Sequence, residues 1–99
     1  MMIVDGDSGK IIQANPVAYE LFGAPLVSAT LDRVVPERHQ QTHKEHRRDY
    51  MQVPITRPMG VGVAFHAVAA NGREILVEIG LTPIPRTRLV IAEIGPAEG

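Results

Sequence analysis

The hydrophobic pattern of the chain changes period twice. Met1 to Val4 is apolar and strand-like, and Lys10-Ile11-Ile12-Gln13-Ala14 reads as a second strand. The turn formers Asp5-Gly6-Asp7-Ser8-Gly9 between them predict a hairpin. The pattern then turns helical. Asn15 is a good N-cap and Pro16 suits a first helical position. Val17, Ala18, Leu21 and Phe22 supply an apolar face, and Gly23 a stop. The run 24–30 is small and weakly patterned, a loop or a single turn, and Leu31-Asp32-Arg33-Val34-Val35 is another short turn. From Pro36 to Met51 there is no Gly and no internal Pro, so this run predicts the longest helix.

Two prolines in Val53-Pro54-Ile55-Thr56-Arg57-Pro58 break that helix, and the segment reads as an extended linker. From Met59 onward the chain is β. Val61 to Ala70 predicts a third strand and Asn71-Gly72 a hairpin turn. Arg73 to Thr82 follows with near period two, Ile75, Val77, Ile79 and Leu81 on one side. A proline loop, Pro83 to Arg88, leads to a last strand, Leu89 to Ile94. The expected class is α+β: a five-stranded antiparallel sheet, with the helices inserted between strands 2 and 3 and covering one face. The space between such a cover and a curved sheet is a natural pocket.

The long helix carries the most unusual pattern. At about 100° per residue, His39, His43, His46 and Tyr50 share an arc of roughly 60°. Arg38, Lys44, Glu45, Arg47, Arg48 and Asp49 occupy the other faces. A docked helix buries its least charged stripe, so the expectation is a core-facing row of imidazoles flanked by Val35 and Met51. Such a histidine is either hydrogen-bonded core or a ligand-facing group.

Composition narrows the functions. The 99 residues suffice for one small domain, 44% hydrophobic but only 4% aromatic. A net charge of -1 argues against a nucleic-acid footprint. No stretch reads as a signal peptide or membrane span, and a cytoplasmic location is the expectation. With no Cys, disulfides, thiolate metal sites and cysteinyl adducts are excluded. No nucleophile–base pair, phosphate loop or paired carboxylates point to an enzyme. The start at Met1-Met2-Ile3-Val4 is already strand-like, as in a piece of something longer.

The order of these elements and their motifs resembles a PAS domain, a sensory module of bacterial signalling proteins. The matching pieces are Ile3-Val4-Asp5 with Gly9-Lys10-Ile11-Ile12 and Asn15, Ala18 with Leu21-Phe22-Gly23, Val35-Pro36 with Arg38 and His43, Arg57-Pro58-Met59-Gly60, and Asn71-Gly72-Arg73 with Val77-Glu78-Ile79. They span nearly the whole chain, so residues 1–95 are expected to form the domain and 96–99 a tail. The resemblance implies a sensor histidine kinase or similar regulator. It also implies homodimerisation through the sheet face, where Leu76, Ala92 and Ile94 offer apolar surface, and an output domain in the same chain or a partner.

The stretch from His43 to Gly72 is further similar to the haem-binding oxygen sensors among PAS domains. There a helix histidine ligates haem iron, and an Arg-x-x-Gly segment follows at the spacing seen here from His43 to Arg57 and Gly60. The resemblance implies His43 as the proximal ligand, with Arg57 and Met59 in the matching segment. Val61, Val63, Phe65, Ile79 and Ile91 would line an apolar porphyrin pocket. Those sensors place a gas-binding arginine where this chain has Val63. Two further readings use the same stripe: a metal ion at His39, His43 and His46, and a pH-reporting set of imidazoles.

Overall fold

The computed structural model describes residues 1–23, 26–57 and 64–97. Strands β1 (Met2–Asp5) and β2 (Ile11–Ala14) lead to helix α1 (Pro16–Phe22). Two 3₁₀ turns, Leu31–Arg33 and Glu37–His39, lead to helix α2 (Gln40–Gln52), and β3 (Phe65–Val68), β4 (Glu74–Pro83) and β5 (Leu89–Pro96) follow. The sheet order is β2-β1-β5-β4-β3, antiparallel throughout. The last strand therefore lies in the middle of the sheet, between the first strand and the fourth.

Local chemistry explains most boundaries. The Asp5 carboxylate accepts the N–H groups of Asp7 and Ser8 at 2.9 and 3.2 Å, which shapes the β1–β2 turn. Asn15 Oδ1 accepts the Ala18 N–H at 3.1 Å and starts α1, with Pro16 in its first turn. Gly23, at φ 78°, ends that helix. Asn71-Gly72 makes a turn in which the Gly72 N–H donates to Ala69 O at 2.9 Å, with Gly72 at φ 83°.

The long helix begins later than its sequence suggests. Pro36 is extended (φ -53°, ψ 140°), and Glu37–His39 wind as a 3₁₀ turn before α2 begins at Gln40. The Gln40 amide reaches back to the carbonyls of Asp32 and Val35, at 3.0 and 3.3 Å, and ties this start to the preceding turn.

The core forms where α1 and its following segment meet one sheet face. Met2, Val4 and Ile11 join Ala18, Phe22, Leu26, Val34, Ala67 and Val77 there. Ile75, Ile79 and Ile94 pack against its margin. Pairing sets the faces, because partners directly opposite point the same way. Met2 faces Ala92 and Val4 faces Val90, all four buried. Ala92 and Ile94 therefore point inward. The sequence-based assignment of these two to a partner surface is corrected by register. Ile91 pairs with Ile3 and Thr82 and lies on the opposite, outer face. Its assignment to a pocket wall alongside Ile79 is corrected for the same reason. Past the expected end of the domain, β5 continues to Pro96, and the Ala97 N–H donates to Leu76 O at 3.1 Å.

Candidate functional site

The described part of α2 buries one side chain fully, Met51. Gln40, His43, Arg47 and Tyr50 are half-buried, while His39 and His46 are exposed. The inward stripe is thus rotated by about 60° from the histidine row. The long stem of Arg47 and the Met51 thioether cover apolar surface more readily than two imidazoles do. The three histidines do not converge. Among the described residues no group of three His, Asp or Glu side chains is arranged to hold a metal ion.

His43 is the member of the row that enters the structure. Among the described residues its buried Nδ1 has no hydrogen-bond partner, and neither does Asp32 Oδ1 in the turn before α2. The other Asp32 oxygen lies 3.4 Å from Lys44 Nζ. Burial holds the His43 pKa below its ordinary 6.5, and the nearby Arg47 charge adds to this, with Asp32 opposing and His46 adding a little. His43 is therefore a neutral imidazole near pH 7.

A second cluster forms just before α2. Arg38 makes a two-pronged ion pair with Glu74 at the start of β4. His66 Nδ1 lies 3.6 Å from the same carboxylate. The rings of His39 and His66 stack, with centroids 6.2 Å apart. The Arg38 hydrogen bonds hold the Glu74 carboxyl below its ordinary 4.5. His66 pairs with Leu76 across the hairpin, and Val68 with Glu74, so all four share the outer face. The segment before α2 passes along the β3 edge, where Val68 N–H donates to Val34 O at 2.8 Å. Its side chains reach the outer face around that edge.

Tyr50 and Arg57 do come together. The Arg57 guanidinium sits 5.4 Å from the Tyr50 ring centroid, and the Tyr50 hydroxyl donates to Ile55 O at 2.6 Å. Arg57 and Leu81 exchange backbone hydrogen bonds at 2.7 and 2.8 Å, so the linker adds a bridge to the β4 edge. Met59, Val61 and Val63 lie outside the described residues.

The described residues do not fit a haem. Ile79 packs at the core margin and Ile91 lies across the sheet from it. The cleft beside α2 is lined mainly by charged and amide side chains and does not include His43. A porphyrin needs an apolar slot on the ligand side of its histidine, and the described walls do not converge on one.

The protein-family model described as "PAS domain" matches residues 1–53, the first half of the chain. The chain belongs to the PAS domain family. Solved structures agree on the fold. The PAS-B domain of Drosophila melanogaster Cycle, with bound ethylene glycol, superimposes with a TM-score of 0.69 at 16% identity, covering 98% of this chain and 100% of that one. A single-substitution form of the same domain, with bound glycerol, gives the same values. No curated protein sequence matches this one significantly. At this identity the likeness is one of fold. It confirms the five-stranded sheet with helices between β2 and β3. Among the described residues no helix is long and apolar enough to cross a membrane.

Sequence reading missed His66, Arg38 and Glu74 as partners. The usable signal was the Asn71-Gly72 hairpin, which places His66 and Glu74 diagonally across one face. No sequence pattern brings Arg38 and His39 to that face.

Proposed function

We propose that this PAS domain is a sensory and interaction module that pairs with a second copy through its outer sheet face. It relays the state of the α2 side of the fold to an output domain, in the same chain or in a partner. Its role is regulatory rather than catalytic. The proposed setting, a bacterial sensor histidine kinase or similar regulator, rests on the sequence resemblance alone.

The observation that carries the pairing is the apolar outer face. Ile12 is 39% exposed, and Ile3 and Ile91 lie half-buried opposite each other beside it, while Leu76, 48% exposed, stands at the other end of β4 beside His66. Exposed apolar surface on an otherwise polar sheet face marks an interaction site. The relay follows from the Arg38–Glu74 pair, which borders Leu76 and belongs to the segment that starts α2. A partner that reaches across the face to Leu76 and a change at α2 then act on the same contacts.

Sedimentation velocity of the wild-type domain and of Leu76→Glu with Ile91→Glu tests this. The wild type is expected to dimerise as concentration rises, and the double variant to stay monomeric with unchanged far-UV circular dichroism. A wild type that is monomeric over the whole range overturns the pairing.

A further inference from the structure

A cleft of about 410 Å³ opens between α2, the β1–β2 turn and the β4–β5 turn. Lys44, Arg47, Arg48 and Arg88 line it, against the carboxylates Asp7 and Glu45. Three of the cations fall at i, i+3 and i+4 on α2 and so share a helix face. The fourth comes from the opposite end of the chain.

The cleft is held by specific contacts. Arg88 Nε and Nη2 donate to both Asp7 oxygens, at 2.9 and 2.7 Å, and Nη1 donates to Met51 O at 3.3 Å. That side chain therefore fastens the last hairpin to the first turn and to the end of α2. Gly6 and Gly9 let α2 side chains approach the turn backbone. Met51 fills the space a Cβ on Gly6 would need, and a Cβ on Gly9 would lie 2.5 Å from Arg47 Nη1. Buried Met51 closes the bottom of the cleft.

Charge is left over at the rim. Asp7 offsets Arg88, and Asp32 offsets Lys44. Arg47 feels the Asp7 carboxylate, already shared with Arg88. With Glu45 also on the wall, the four cations face three carboxylates among the described residues, which leaves one net positive charge. Arg48 has no hydrogen-bond or ion-pair partner among the described residues. Guanidinium groups bind carboxylate and phosphate oxygens in pairs, and the Gln41 and Gln52 amides can supply further donors. The volume lies within the range of small-molecule sites.

We propose that this cleft binds a small free anion bearing two or more anionic oxygens, of the phosphate or dicarboxylate class. The site is separate from the outer sheet face, and its test does not depend on dimerisation.

The test is a ¹H–¹⁵N titration with inorganic pyrophosphate and with succinate, at ionic strength held constant with sodium chloride. Saturable shifts are expected at the amides of Gly6, Asp7, Arg47, Arg48 and Arg88. Arg48→Gln, at an exposed position, keeps the fold and weakens binding about tenfold. Three results overturn the proposal: shifts that never saturate with either anion, the same shifts with chloride alone, or identical affinity in Arg48→Gln.

Discussion

The ring of His39 lies against the ring of His66, 25° from parallel, and so joins the turn before α2 to the edge strand of the sheet. Arg38 and Glu74 strengthen the same junction. The two contacts add to buried Val34, which anchors the same segment in the core.

The Arg38–Glu74 pair makes the junction acid-sensitive. The folded-state pKa of Glu74 is depressed, so the pair's stabilising effect is present above the ordinary carboxylate value of 4.5. It is lost as pH falls through the folded value. A double-mutant cycle of Arg38→Ala and Glu74→Ala, read by urea denaturation, is expected to show favourable coupling at pH 7. That coupling should shrink in high salt and vanish in acid. Coupling that persists when the carboxyl is protonated would refute the ionic account.

His43 sets a different pH window. Its folded-state pKa lies below 6.5, so the unfolded chain takes up the proton first as pH falls. Stability therefore declines from about pH 6.5 downward, until the folded form is protonated too. The groups that act on the ring are Arg47 and His46 on its own helix and Asp32 on the preceding turn. His43→Gln is expected to remove this part of the pH dependence. An unchanged profile would show that other groups set it.

Gly6 tests how α2 is seated. Gly6→Ala puts a methyl where the Met51 thioether now packs. Met51 is flexible and can swing aside, so the cost is expected near the low end of overpacking, about 1 kcal/mol. Met51→Ala alone empties a buried site and should cost about 2 kcal/mol or more. Combining the two changes should cost less than their sum, since each makes room for the other. Strict additivity in thermal unfolding would refute the contact.

Haem titration addresses the remaining sequence-based reading. No saturable Soret band is expected, because the described walls around His43 do not form an apolar slot. A band that appears in the wild type and disappears in His43→Ala would overturn this.

The sequence by itself determined the architecture. The Asp5–Gly9 turn, the Asn15-Pro16 helix start, the Gly23 stop and the Asn71-Gly72 hairpin act through nearby backbone, so their effect is local and legible. Alternation in Ile75, Val77 and Ile79 likewise told which face of β4 is inward. Tertiary structure decided everything that depends on how those pieces meet. It turned α2 so that Arg47 and Met51 face inward beside His43 and Tyr50, leaving His39 and His46 outside. It put Ile91 on the outer face and Ala92 on the inner, because the pairing of β5 with β1 and β4 sets that register. It brought Arg88 to Asp7 across 81 residues and Glu74 to Arg38 across 36. Those contacts join charged side chains on separate elements, and no periodicity within one segment encodes them.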